Sequence, residues 1–72
     1  MNSVTSISIR VNGEERRVAE GATVAEMVEQ LGLDPTRVAV ERNREILSRS
    51  TLGQVEVREG DAYEIVHFVG GG

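Results

Sequence analysis

Between Ser6 and Val11 the side chains alternate, Ile7, Ile9 and Val11 against Ser6, Ser8 and Arg10, and the run stops at Asn12-Gly13. Alternation with a period of two puts three apolar groups on one face of a half-buried strand. Asn-Gly then closes a two-residue hairpin, because both central positions of a type I′ turn need positive φ. Residues 14–18 must therefore return antiparallel. Their long charged side chains suit a sheet edge, where they discourage pairing with another chain.

The period then changes. Gly21-Ala22 breaks the strand, and Thr23-Val24-Ala25-Glu26 has the form of a capping box. In that arrangement the Thr23 hydroxyl accepts from the Glu26 backbone while the Glu26 carboxylate reaches back to the cap. Val24, Met27, Val28 and Leu31 recur at helical spacing with Glu26, Glu29 and Gln30 facing water, so a helix is expected over residues 23–31. Gly32 supplies its stop and Asp34-Pro35 prevents it from resuming.

Val38-Ala39-Val40-Glu41 begins a third strand with Val38 and Val40 inward, and Arg42-Asn43-Arg44-Glu45 is read as a turn. Ile46-Leu47 is a very short strand, and residues 48–54 form a loop that Leu52 ties to the core. Gly60-Asp61 turns the chain into a last strand over residues 62–69. A hairpin, a helix crossing, and three further strands return the chain to one sheet. The expected class is α+β: a β-grasp, a mixed sheet of four to five strands with one main helix across one face.

Size limits what such a fold can do. A chain of 72 residues buries roughly 60 % of the surface its unfolded form exposes, which leaves a thin core and little room for a deep cleft. Cysteine is absent, so disulfides, thiolate metal sites and a persulfide are excluded. A net charge of −4 argues against phosphate-mediated binding of nucleic acid. No apolar run approaches the ~20 residues that span a bilayer, and the start of the chain lacks a targeting signal, so no membrane association and a cytoplasmic location are expected. All eight cations are arginine, which leaves no lysine amine for chains of isopeptide-linked copies.

The apolar stretch ending in Phe68-Val69 runs directly into Gly70-Gly71-Gly72. Glycine loses the most entropy on ordering, so such a run contributes little to a fold. It does give a slim backbone, and three extended residues reach about 10 Å at ~3.3–3.6 Å each. Residues 1–69 are accordingly read as the β-grasp domain and 70–72 as a flexible C-terminal glycine tail. Fraying is common at termini and would equally account for inert glycines.

With its order of elements and this ending, the chain resembles the ubiquitin-like sulfur carriers, and among them the ThiS-like carriers of thiamine biosynthesis. The likeness rests on Ile9-Arg10-Val11-Asn12-Gly13-Glu14, Thr23-Val24-Ala25-Glu26, Leu33-Asp34-Pro35 with Val38-Ala39-Val40-Glu41, and Gly60-Asp61 through Val69-Gly70-Gly71-Gly72. Each motif is weak alone, and their joint order and spacing carry the resemblance. One departure is Asn43-Arg44 where many members have Asn-Gly, which leads us to expect a turn of different geometry.

The resemblance implies a carrier, not an enzyme. The Gly72 carboxylate would be adenylated by a partner enzyme that uses ATP, with no cofactor bound to the carrier itself. It would then become a thiocarboxylate, with sulfur drawn indirectly from a cysteine desulfurase or other donor, and deliver that sulfur on a thiazole synthase. A carrier for molybdopterin or tRNA thiolation, or a ubiquitin-like protein modifier, would end similarly, although the proline-containing approach to the glycines of the molybdopterin subunit is missing. A plain binding module with an inert ending is the fourth reading.

A docking surface should accompany such an ending. If Tyr63 and Ile65 face the core, then Glu64, Val66 and Phe68 face the other way, joined by Ala39 and Glu41 of the third strand. Exposed apolar patches tend to mark interfaces, whereas packing under a loop would make Val66 and Phe68 structural. His67 has no partner for a metal site or a triad and is read as structural or solvent-facing. Ser48, Ser50 and Thr51 lack a neighbouring base and are read as turn and cap residues.

Overall fold

The computed structural model describes residues 5–69, so the expectations for Gly70, Gly71 and Gly72 lie outside the described residues. β1 (Ser6–Val11) and β2 (Glu14–Ala19) form the hairpin, with register Ser6↔Ala19 through Val11↔Glu14. Its turn residues Asn12 and Gly13 have φ of 51° and 86°, as a type I′ turn requires. Helix α1 (Val24–Gln30) follows, then β3 (Val38–Arg42), β4 (Glu45–Leu47) and β5 (Ala62–His67). The sheet order is β2-β1-β5-β3-β4. β5 lies between β1, to which it is parallel, and β3, to which it is antiparallel. This is the expected β-grasp with five strands.

Both ends of α1 are secured by local chemistry. Thr23 Oγ1 accepts from the Glu26 N–H at 3.1 Å, and Glu26 Oε1 accepts from the Thr23 N–H at 2.9 Å. At the other end, Gly32 at φ 82° lets its own N–H reach the Glu29 carbonyl and the Leu33 N–H reach that of Val28, a Schellman closure. Val24, Met27 and Val28 are buried against Ile7, Ile9 and Val11 of β1, Val38 and Val40 of β3, and Tyr63 and Ile65 of β5. Each fully buried aliphatic side chain contributes about 1.5–3 kcal/mol by leaving water, so a helix of only two turns is held mainly by packing.

Four local expectations need correction. The last strand stops at His67 rather than at residue 69, because β3 begins at Val38 and offers no ladder partner beyond the Val38↔His67 pair. Phe68 makes one further backbone bond, donating to the Arg37 carbonyl at 2.8 Å. Pro35–Arg37 form a short 3₁₀ turn capped by Asp34, not merely a helix block. The turn after β3 is confined to Asn43 and Arg44, whose φ values of 50° and 72° give it the same positive-φ geometry as Asn12-Gly13.

The fourth correction concerns residues 55–57, for which no structure was anticipated. Val57 is buried in the core, and its N–H donates to the Ala22 carbonyl at 2.9 Å. Val55 accepts from the Val24 N–H at 2.8 Å. The Val55-Glu56-Val57 alternation was the available signal. Leu52 is buried as expected.

Candidate functional site

The site is organised around β5, which carries the chain from the core to Val69. Tyr63 and Ile65 point inward and are 1 % and 6 % exposed, while Val66 is 59 % and Phe68 50 % exposed. The antiparallel register sets Ala39 directly opposite Val66 and Glu41 directly opposite Glu64. The structure thus brings Ala39, Glu41, Glu64 and Val66 together on the face of the sheet away from α1, with Phe68 just beyond the end of the ladder. Glu41 and Glu64 are like charges directly opposite one another across the ladder, which disfavours the fold. Among the described residues no cation lies within ion-pair distance of either.

Ile46 belongs to this face and was missed from sequence. It sits across from Glu41 in the β3–β4 ladder and is 81 % exposed. With Ala39, Val40, Glu41, Glu64 and Val66 it lines a shallow depression. Its outward direction follows from the ladder, where Leu47 pairs with the inward Val40 and the neighbouring residue must therefore point out. Reading Ile46-Leu47 as a possible strand without assigning its faces left this side chain unplaced.

Beneath the face, β5 is anchored by a buried carboxylate. Asp61 is 6 % exposed. Its oxygens accept from the Arg58 N–H at 3.0 Å, Tyr63 Oη at 2.8 Å and Asn43 Nδ2 at 3.1 Å, and Arg42 Nε lies 3.2 Å away. Burial is the largest single influence and pushes its pKa up, but the hydrogen bonds and the Arg42 charge together outweigh it and hold the carboxyl below its ordinary value. Burial, reinforced by the Asp61 carboxylate, pushes the Tyr63 hydroxyl well above the usual tyrosine range, so Tyr63 remains a donor.

Two asparagines grip the same strand from opposite sides. Asn43 Oδ1 accepts from the Ala62 N–H at 2.9 Å, and the Asn43 N–H donates to the Ala62 carbonyl at 2.8 Å. Asn12 Oδ1 accepts from the Ile65 N–H at 2.8 Å while Asn12 Nδ2 donates to the Ile65 carbonyl at 3.1 Å. Both residues were read from sequence as turn formers only.

His67 is exposed at the end of β5, the solvent-facing of its two readings. The Ser48 and Thr51 hydroxyls serve their own 3₁₀ turn, Thr51 Oγ1 donating to the Ser48 carbonyl at 2.7 Å. Among the described residues no cluster of three or more His, Cys, Asp or Glu side chains could hold a metal, and no helix is long and apolar enough to cross a membrane. The arrangement is a hydrogen-bonded strand with an apolar and acidic outer face.

The same fold occurs among known proteins. The profile of the ThiS family matches residues 9–72. A thiazole synthase of Paramagnetospirillum magneticum is 50 % identical over 62 residues, which cover 86 % of this chain and 19 % of the synthase. The chain thus spans about a fifth of the length of that relative. The sulfur carrier protein ThiS of Bacillus subtilis is 35 % identical over 65 residues, 89 % of this chain and 98 % of the carrier. The crystal structure of the thiamine biosynthesis protein ThiS from Geobacter metallireducens matches with a TM-score of 0.76 at 36 % identity, covering 92 % of this chain and 100 % of that one.

Proposed function

The chain belongs to the ThiS family, and on that premise we propose that it is a sulfur carrier of thiamine biosynthesis whose reacting group is the Gly72 carboxylate. The observation that carries this reading is the extent of the likeness. It runs through residue 72 in the family profile and takes in 98 % of a relative named as a sulfur carrier.

The chemistry explains why glycines are needed there. A carboxylate at neutral pH is a poor electrophile. Attack of its oxygen on the α-phosphorus of ATP forms an acyl-adenylate and releases pyrophosphate, which gives the carbonyl a good leaving group in AMP. Sulfide attacking the carbonyl displaces AMP and leaves the thiocarboxylate directly; a persulfide from a cysteine desulfurase displaces AMP to give an acyl disulfide, whose S–S bond a thiol must then reduce to release the thiocarboxylate. Gly70, Gly71 and Gly72 present no Cβ to hinder attack or to block a narrow enzyme channel. The catalytic groups and ATP belong to the adenylating partner, and the carrier is its co-substrate. Because the relative from Paramagnetospirillum magneticum that contains a matching stretch is named thiazole synthase, a thiazole synthase is the client that fits best.

The face built from Ala39, Glu41, Glu64, Val66 and Phe68, extended by Ile46, is the proposed docking surface for these enzymes. Its support is the exposure of Ile46, Val66 and Phe68 and its continuity with the strand that approaches the glycines.

The test is the intact mass of the protein after co-expression with an adenylating enzyme and a desulfurase. The expected result is a fraction heavier by the difference between sulfur and oxygen, absent when Gly72 is deleted although the shortened chain folds. Sulfur incorporation that survives the deletion would refute chemistry at Gly72, and adducts to lysines of other proteins would identify a modifier instead.

A further inference from the structure

We propose that Asn12 is a positioning residue for the chemistry at Gly72: its side chain acts as a one-residue extension of β1 that holds β5 in line where the strand leaves the core. The proposal rests on the sulfur-carrier reading above and adds a residue far from the glycines in sequence.

The need arises from a mismatch in strand length. β1 and β5 pair only at Arg10↔Ala62 and Val11↔Tyr63 before β1 turns away at Asn12-Gly13. The Asn12 N–H still donates to the Tyr63 carbonyl at 2.8 Å. The next β5 residue whose main chain faces that side is Ile65, and no strand remains to meet it. The Asn12 side chain meets it instead, accepting from the Ile65 N–H and donating to the Ile65 carbonyl at 2.8 and 3.1 Å.

A carboxamide carries the same donor and acceptor as a peptide unit, so the ladder continues for one more step without a backbone. The polarity of the Ile65 main chain settles which amide atom lies where. Among the described residues, Asn12 is the last group to grip β5 from the β1 side. Beyond it only β3 and the Arg37 carbonyl hold the strand, through Val38↔His67 and the Phe68 N–H.

Turn chemistry alone does not require this amide. Asp-Gly and Gly-Gly serve a type I′ turn as Asn-Gly does, yet neither aspartate nor glycine can both donate and accept across Ile65. Asn12→Gly keeps the turn and removes both bonds. Asn12→Asp keeps the turn and the acceptor but sets a second oxygen against the Ile65 carbonyl. These two variants therefore separate the turn from the grip.

The experiment combines amide hydrogen exchange with the kinetics of pyrophosphate release, using ATP and the adenylating enzyme of a ThiS system. In Asn12→Gly, exchange at the Ile65 amide is expected to rise about tenfold or more, with Ile9 and Val40 still protected. For both variants kcat should fall about 3- to 10-fold with KM for the carrier nearly unchanged, since the body still docks while its end is less well aimed. Thr23→Ala, which loosens the fold at the helix cap, should leave kcat as in the wild type.

An Ile65 amide that stays protected in Asn12→Gly, or kcat values equal to wild type in both variants, would overturn the proposal. So would failure of both variants to fold, which would make Asn12 a folding residue. A wild-type chain that releases no pyrophosphate with the enzyme would instead defeat the sulfur-carrier reading, and the positioning role with it.

Discussion

Asp61 shows how one side chain can join several elements. Its carboxylate collects donors from Arg58, Tyr63 and Asn43 and the charge of Arg42, which ties the loop before β5 to the β3–β4 turn. Asp61→Asn removes the ion pair and places amide hydrogens against groups that themselves donate, so a loss of about 2–3 kcal/mol at pH 7 is expected. The sign of the pH dependence follows from the lowered pKa. Stability contributed by Asp61 is complete above the unfolded value of about 3.9 and disappears as pH falls through the folded one. Urea midpoints should therefore differ widely between wild type and Asp61→Asn at pH 7, and the gap should close as the pH falls through the lowered folded-state value of Asp61; a gap that persists in stronger acid would contradict this account. The same network explains why Asn43-Arg44 keeps a type I′ geometry. Asn43 is fixed by Ala62 and Asp61, and Arg44 accepts a φ of 72° that glycine would adopt without strain.

At the scale of elements, α1 is too short to be stable alone, and its ends matter accordingly. The capping box supplies two bonds between Thr23 and Glu26 at the end that receives the chain from β2. Thr23→Ala should cost about 1 kcal/mol and lower the melting temperature without altering the sheet. A melting temperature equal to wild type would mean that water replaces the cap at no cost. β5 presents the opposite situation. Its inward residues Tyr63 and Ile65 are buried in the core, but from Val66 onward its side chains are exposed. One strand thus serves as core on one face and stands open on the other, and the two asparagine grips lie where its neighbours fall short.

At the scale of the whole molecule, the sheet has one face covered by α1 and one left open with Ile46, Val66 and Phe68 on it. Phe68→Ala combined with Ile46→Ala removes exposed side chains and should change stability by less than about 0.5 kcal/mol each. It should lower kcat/KM for adenylation about tenfold or more if the face docks the enzyme; unchanged kinetics would remove this surface from the proposal.

Most of the architecture was legible in the chain itself. Period-two alternation in β1, the Asn12-Gly13 turn, the Thr23–Glu26 box and the Gly32 stop are local signals, and each acts through neighbours in sequence. Face assignments on β3 and β5 followed from parity alone. Tertiary structure alone decided the rest. The end of β5 depends on where β3 begins, and the place of Ile46 on a three-residue edge strand. Asp61 and Asn12 take their roles from groups brought together across the sheet, Asn12 and Ile65 being 53 positions apart in the chain. Such long-range bonds leave no periodic trace, because a hydrogen bond between side chain and distant backbone imposes no spacing on the residues between them.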